Sequence, residues 1–317
     1  MNPSASGHVV VFGAGAVGSF HAAMLALAGE RVTLLARPAQ VRAVLAAGLK
    51  LDRAGQTHTV QVQATEDLTV LRDADLVLCC VKSADTPAAA LQMAPHLRPE
   101  ALLLSLQNGV DNADALAVQV RCVVIPAVVY VATAMAAPGH VQHFGRGDLV
   151  IGHGRSGPRT SDARLQQVAD TFGAAGVPVR VSADVVAELW SKLLVNCAYN
   201  AISALAQRPY ADLAGLAEVR TLQAEVVAEV LRVAAAAGVQ LPAGDSMQAV
   251  AHIAAAMPAQ LSSTAQDMAR RKPGEIDHLN GYIVQRGREL GISAPANQAL
   301  AALVKLVESG YPAAALP

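Results

Sequence analysis

Val9 to Phe12 is a short β-branched and aromatic run that flows into glycines, and Ser19 to Gly29 follows with the alanine- and leucine-rich spacing of a helix stopped by Gly29. The pattern repeats. Arg31 to Leu35, Leu76 to Val81, Ala101 to Leu106 and Val123 to Val131 read as apolar strands, and helical stretches such as Val41 to Ala47 and Ala88 to Pro95 separate several of them. Alternating strands and helices predict a parallel sheet with right-handed crossovers. Gly139 to Gly154 changes to glycines with alternating polar and apolar residues, which predicts a hairpin at the sheet edge. Ser161 to Ala175 then reads as a helix and Val177 to Val181 as a last strand. Beyond Ser182 only helical runs follow, at about 183–206, 211–237, 245–257, 263–271, 275–290 and 295–308. With the glycine turn Gly13-x-Gly15-x-x-Gly18 placed between the first strand and its helix, the expected organisation is an α/β Rossmann-type dinucleotide-binding domain over 1–182 and an all-α domain over 183–317.

Composition narrows the function classes. The chain has 317 residues, 53% hydrophobic and 15% charged, which favours packed globular domains over disorder. A formal net charge of -1 gives no field for a nucleic-acid backbone or an anionic membrane, so the expected partners are small molecules. The longest apolar stretch, Cys122 to Pro138, is too short for a spanning helix, is interrupted by Pro126 and Thr133, and is rich in valine. No basic segment with an apolar run and cleavage site precedes the first strand, so a cytoplasmic location is expected. Cys79, Cys80, Cys122 and Cys197 lack C-x-x-C spacing, which suits reduced thiols with neither a redox nor a metal role.

The turn Gly13-Ala14-Gly15-Ala16-Val17-Gly18 lies directly after a strand and opens a helix, where a dinucleotide fingerprint must lie. Gly13 permits the tight turn, Gly15 lets backbone approach a pyrophosphate, and Gly18 lets the helix pack closely on the strand. About 20 residues on, an acidic side chain would bind the 2'-hydroxyl of NAD. The text there is Leu35-Ala36-Arg37-Pro38, with Arg42 nearby. A guanidinium forms bidentate bonds with a 2'-phosphate, which favours NADPH, while a solvated loop arginine is the alternative. Lys82 and Asn108 stand just after two further strands, where open sheets bind ligands. By position alone each is as readily a cap or turn residue.

Lys192, Asn196 and Asn200 are spaced four and four in an otherwise apolar helical run, so they share one face within roughly 80°. A surface face, or asparagines satisfied by neighbouring helices, would explain them too. Pro273-Gly274 interrupts the pattern and places Glu275 in the first turn of the next helix, where a helix dipole would also account for it. Ser263 reads equally as an N-cap in a capping box with Gln266. His140 and His143 form an H-x-x-H near His153 without an acidic or cysteine ligand, so no metal is expected; His21 reads as a packed or half-exposed histidine rather than a catalyst.

Taken together, GAGAVG, VK at 81–82, QNG at 107–109, WSKLLVNCAYN at 190–200, SSTAQD at 262–267 and KPGEIDHLNGYIV at 272–284 resemble the ketopantoate reductase family over nearly the whole chain. Their order and spacing carry the likeness, including the 12 residues from Ser263 to Glu275. The resemblance implies hydride transfer from NADPH to a small 2-oxo acid, in the family's case 2-dehydropantoate (ketopantoate) in pantothenate biosynthesis. It implies Lys192 as proton donor, Glu275 as the carboxylate orienting it, Asn196 and Asn200 on substrate hydroxyls and Ser263 on the substrate carboxylate. Lys82 and Asn108 fall near the nicotinamide ribose and Arg37 on the 2'-phosphate. An ammonium with a reference pKa of about 10.4 stays protonated at neutral pH and stabilises developing negative charge, in agreement with that role. Gln260 departs from the asparagine of the family pattern three residues before the serine, which weakens the substrate assignment. A reductase of another 2-oxo acid and a non-catalytic NADPH-binding sensor are the alternatives. Aliphatic spacing along 211–237 leaves a homodimer open, with burial inside the helical domain the simpler account.

Overall fold

In the computed structural model, which describes residues 7–242 and 244–311, β1 (His8–Phe12) leads into α1 (Ala16–Leu27) and β2 (Arg31–Leu35) into α2 (Pro38–Ala47). Three short strands follow: β3 (Leu49–Arg53), β4 (Gln56–Val60) and β5 (Gln63–Thr65). Then come β6 (Leu76–Cys79), α3 (Thr86–Met93), β7 (Leu102–Ser105), α4 (Asn112–Gln119), β8 (Val123–Ala137), β9 (His140–Ile151), α5 (Asp162–Ala174) and β10 (Val179–Val181). The strands form one sheet in the order β4-β3-β9-β8-β7-β6-β1-β2-β5, with β10 alongside β9. All pairs are parallel except β3 with β4 and β8 with β9.

The central strands are apolar throughout because both faces are covered. Val9 and Val11 of β1, Leu76 and Leu78 of β6, and Leu102 and Leu104 of β7 pack on one side with Phe20 and Leu25 of α1 and Leu165 and Phe172 of α5. The alternate residues Val10, Val77 and Leu103 pack on the other with Ala90 and Met93 of α3 and Leu116 of α4.

The glycine-rich stretch after Gly139 is not a hairpin at the sheet edge. It is a single strand, β9, inside the sheet between β8 and β3, and the hairpin turns at Pro138-Gly139 with Gly139 at φ +71°. The valine run continues past Val131 to Ala137 to make the other arm. The predicted helix Ser161 to Ala175 is α5, capped by the Ser161 hydroxyl on the Arg164 N–H.

His21 of α1 is fully buried, edge-on to Phe20 and Phe172 at 5.1 and 5.8 Å. Burial pushes its pKa down to about 3, and nearby His143 adds to the effect. The folded unit therefore keeps His21 neutral, while the unfolded chain protonates it near 6.5. That contribution to stability is complete above about pH 6.5 and declines as pH falls toward 3. Thermal melts should show wild type losing stability across this window and His21→Leu losing less; identical slopes would exclude the histidine as the cause.

A boundary between Val186 and Ala187 separates two compact units. The second is helical: α6 (Val185–Ala206), which begins just before that boundary, is followed by α7 (Tyr210–Gly215), α8 (Ala217–Ala236), α9 (Ser246–Ala256), α10 (Ser263–Ala269), α11 (Asn280–Leu290) and α12 (Pro295–Glu308). Among the described residues no strand follows β10. The single helix expected over 211–237 is two, because Leu216 adopts an extended backbone between α7 and α8. The helix expected over 275–290 is also two pieces, a 3-10 turn at Ile276–His278 and then α11, divided at Leu279 with φ −115° and ψ −108°. Glu275 therefore precedes a short turn rather than sitting in the first turn of a long helix. α11 packs against α12 and α8, and α7 against α8 and α9. Among the described residues no helix is long and apolar enough to cross a membrane.

Candidate functional site

At the carboxyl end of β1 the chain turns at Gly13, whose φ is +100° and whose N–H donates to the Leu35 carbonyl at 3.0 Å. A Cβ on Gly13 would lie 2.9 Å from the Val81 backbone nitrogen, and one on Gly18 would lie 2.2 Å from the Gly13 carbonyl oxygen. Both glycines are required by close packing. Gly15 differs, since a Cβ there would meet nothing within 4 Å. It is the N-cap of α1, makes no side-chain cap, and no acidic residue occupies the first turn. The first turn of this 12-residue helix thus presents its N–H groups and dipole to open space. This geometry fits a pyrophosphate.

β1 and β2 are parallel neighbours with Phe12 opposite Leu35, so Arg37 stands beside the glycine turn. Arg37 is exposed, occupies the N-cap position of α2 without a capping bond, and is followed by Pro38 in the first turn. Arg42 is exposed on the same helix.

Lys82 is exposed at the start of a 3-10 turn, Ser83–Asp85, after β6; Asn108 is half-buried after β7. What sets these loops is a buried polar network that sequence reasoning missed. Gln107 Nε2 donates to the Val81 carbonyl at 3.1 Å and to Thr86 Oγ1 at 2.6 Å, and Thr86 donates to Asn112 Oδ1 at 2.7 Å. Ser83 Oγ and Asn112 Nδ2 both donate to the Asn108 carbonyl, at 2.8 and 2.6 Å. The two loops that carry Lys82 and Asn108 are thereby tied to each other. Apart from the local Asn112–Asn108 bond, the partners are more than 20 residues apart and leave no local signal.

In the helical unit, α6 buries Trp190, Leu193, Leu194, Cys197 and Tyr199 and leaves a strip on which Lys192 and Asn196 are half-buried, with Asn200 3% exposed. The stripe is therefore not a solvated surface face. The predicted N-cap at Ser263 is one residue off: Ser262 caps α10, accepting from the Ala265 N–H at 3.0 Å and donating to the Asn200 carbonyl at 3.1 Å. Ser263 is exposed beside that anchor. Gln260 is half-buried and its Nε2 donates to the Leu261 carbonyl at 2.7 Å. Glu275 is half-buried, and the turn before it is held where the Gly274 N–H donates to Glu308 at 2.8 Å.

The histidines outside this frame go separate ways. His140 pairs with Asp52 at 2.9 Å, His143 stacks on Phe20 and His153 pairs with Asp162. Among the described residues no group of three or more potential metal ligands gathers. The thiols of Cys79 and Cys122 are pushed up by burial to about 12 and about 11, and those of Cys80 and Cys197 are raised as well, which keeps all four protonated and unreactive at neutral pH.

A glycine turn opening a helix at the head of a largely parallel sheet, in a chain whose second unit is all helical, defines a Rossmann-type nucleotide-binding protein. A family model described as ketopantoate reductase PanE/ApbA matches residues 9–156, and the model of that family's C-terminal region matches residues 184–308. A 2-dehydropantoate 2-reductase of Halobacterium salinarum is 34% identical over 303 residues, covering 95% of this chain and 98% of the relative. A PanE/ApbA family ketopantoate reductase from Ralstonia eutropha is 52% identical with a TM-score of 0.89, covering 95% of this chain and 98% of that one. The chain belongs to the ketopantoate reductase family of oxidoreductases. D-mandelate dehydrogenase bound to NADH and anilino(oxo)acetate shares the fold, with a TM-score of 0.88 at 22% identity over 96% of this chain and 99% of that one.

Proposed function

We propose that this protein reduces 2-dehydropantoate to pantoate with NADPH, a step in pantothenate and coenzyme A synthesis. The observation that carries the reading is the half-buried Lys192 on the polar stripe of α6, in a chain that full-length relatives named for this reaction match from end to end. When bound, NADPH supplies the hydride to the ketone carbon. Lys192 gives the proton to the oxygen that gains charge, a role suited to an ammonium shielded from bulk water. Glu275 orients Lys192 and the reacting oxygen. Asn196 and Asn200 hold substrate hydroxyls, and Ser263 meets the substrate carboxylate. Lys82 and Asn108 hold the nicotinamide ribose.

The fold accommodates NADH in D-mandelate dehydrogenase, so architecture does not choose between the two cofactors. Arg37, beside the glycine turn and with no carboxylate near the end of β2, supports NADPH. Arg37→Ala should weaken NADPH binding far more than NADH binding in a titration of both, and equal losses would refute the contact.

A second reading, in which the same chemistry acts on a different 2-oxo acid, draws on Gln260, one methylene longer than the family asparagine. A sensor that only binds NADPH would have no use for Lys192 and Glu275 together. Loss of NADPH absorbance with 2-dehydropantoate and a panel of other 2-oxo acids tests all three. Fastest turnover of another acid selects the second reading, and binding without any turnover selects the sensor.

A further inference from the structure

Four helices of the second unit are joined by a buried polar relay that the proposed chemistry does not use. Glu229 of α8 is 2% exposed, and its carboxylate accepts from the Ala296 N–H, the Asn297 N–H and Asn297 Nδ2, at 2.9, 2.9 and 2.7 Å. Three donors satisfy a charge that burial would otherwise make costly, and they hold the first turn of α12. Asn297 in turn offers its Oδ1 to Asn280 Nδ2 at 2.9 Å, and the same Asn280 amide donates to the Cys197 carbonyl of α6 at 3.1 Å. Asn280 and Asn297 are both fully buried.

The place where this relay ends is informative. Cys197 follows Asn196, so Asn280 grips the backbone of α6 within the Lys192–Asn196–Asn200 stripe. Asn280 also begins α11, with Leu279 between it and the short turn Ile276–His278 that Glu275 caps, and on the far side of Glu275 the Gly274 N–H is held by Glu308. Apolar contacts alone would let that turn slide along α6 at little cost, whereas an amide that must meet one carbonyl and one side-chain oxygen permits a single register.

We infer that Asn280 is a positioning residue: through Cys197 on one side and the Asn297–Glu229 pair on the other, it sets where the Glu275 turn stands along α6 relative to Lys192. The inference rests on the reductase reading above. Trp190 of α6 is the only tryptophan in the chain and meets Tyr282 of α11 edge-on at 5.8 Å, so its fluorescence reports this helix pair directly.

The experiment compares Asn280→Ala, the isosteric Asn280→Asp and the milder Asn297→Ala with Leu213→Ala, a core truncation on α7 that lowers stability without touching the relay. Expected for both Asn280 variants are a red-shifted Trp190 emission, unchanged NADPH affinity, and a kcat lower by about tenfold to a hundredfold, the scale of a small misplacement of reacting groups. Asn297→Ala should shift both readouts the same way by less, and it decides the matter alone if the Asn280 variants do not fold. Leu213→Ala should keep wild-type kcat. Wild-type emission and kcat in Asn280→Ala, or an equal kcat loss in Leu213→Ala, overturns the assignment. If wild type turns over no 2-oxo acid, the reductase reading fails by itself, and unshifted emission in Asn280→Ala would still overturn the anchor.

Discussion

Lys192→Ala should leave NADPH affinity near wild type while kcat falls by about 10²–10⁴-fold, the usual range for removing a general acid. Affinity survives because the glycine turn and Arg37 lie before the boundary at Val186 and Lys192 lies beyond it. The rate falls because the neutral amides of Asn196 and Asn200, which share the face with Lys192, cannot replace its proton. Lys192→Arg sharpens the test: it restores the positive charge, but a guanidinium, with a pKa above about 12, releases its proton poorly. Its kcat should stay close to that of the alanine variant. If arginine restored wild-type turnover, charge stabilisation and not proton donation would be the role of Lys192. Wild-type turnover in Lys192→Ala would remove it from the chemistry altogether.

The glycine turn offers the second large effect, because two glycines of one motif should lose NADPH for different reasons, one with the fold and one without it. A Cβ on Gly18 lies 2.2 Å from the Gly13 carbonyl oxygen, and Gly13 cannot retreat since Val81 stands behind it. Gly18→Ala should therefore cost about 1–3 kcal/mol or more of stability by overpacking, lower the melting temperature by several degrees, and lose NADPH binding with the distorted turn. Gly15→Ala meets nothing, and its φ of −73° is open to any residue. Its stability without cofactor should stay within about 0.5 kcal/mol of wild type, while NADPH affinity drops because the methyl group occupies the approach to the helix N-terminus. Melting curves with and without NADPH separate the two. A destabilised Gly15→Ala that still binds NADPH would contradict the role given to its open space.

Much of this site was legible along the chain. The apolar runs of β1, β6 and β7 are continuous because both faces of the sheet are buried, and that pattern survives in any sequence window. The four-residue spacing of Lys192, Asn196 and Asn200 is geometry that a helix cannot evade. Other elements failed for identifiable reasons. β3 and β4, which turn at Ala54-Gly55, both at positive φ, have no predicted counterpart along the chain: they are short and their outward residues are polar and charged, so no apolar run marks them. β9 reads as a hairpin because its glycines suggest turns, whereas Gly145 and Gly147 lie within the strand near register shifts against β8. Ser262 and Ser263 are equivalent as text, and only the Asn200 carbonyl beside Ser262 decides which one caps α10.

What the sequence by itself determined is local: the strand–turn–helix that opens the chain, the absence of a carboxylate near the end of β2, and the polar face of α6. The first and third follow from periodicities of two or 3.6 residues and from the sterics of glycine, and the second from residue identity alone. What only the tertiary structure decided is which distant groups meet. The Gln107–Thr86–Asn112 network spans the loops after β6 and β7, and the Asn280 amide finds the Cys197 carbonyl 83 residues away. The reason is physical: a buried polar group must find a partner, but that demand sets only the chemistry of the partner, and packing selects the residue that supplies it.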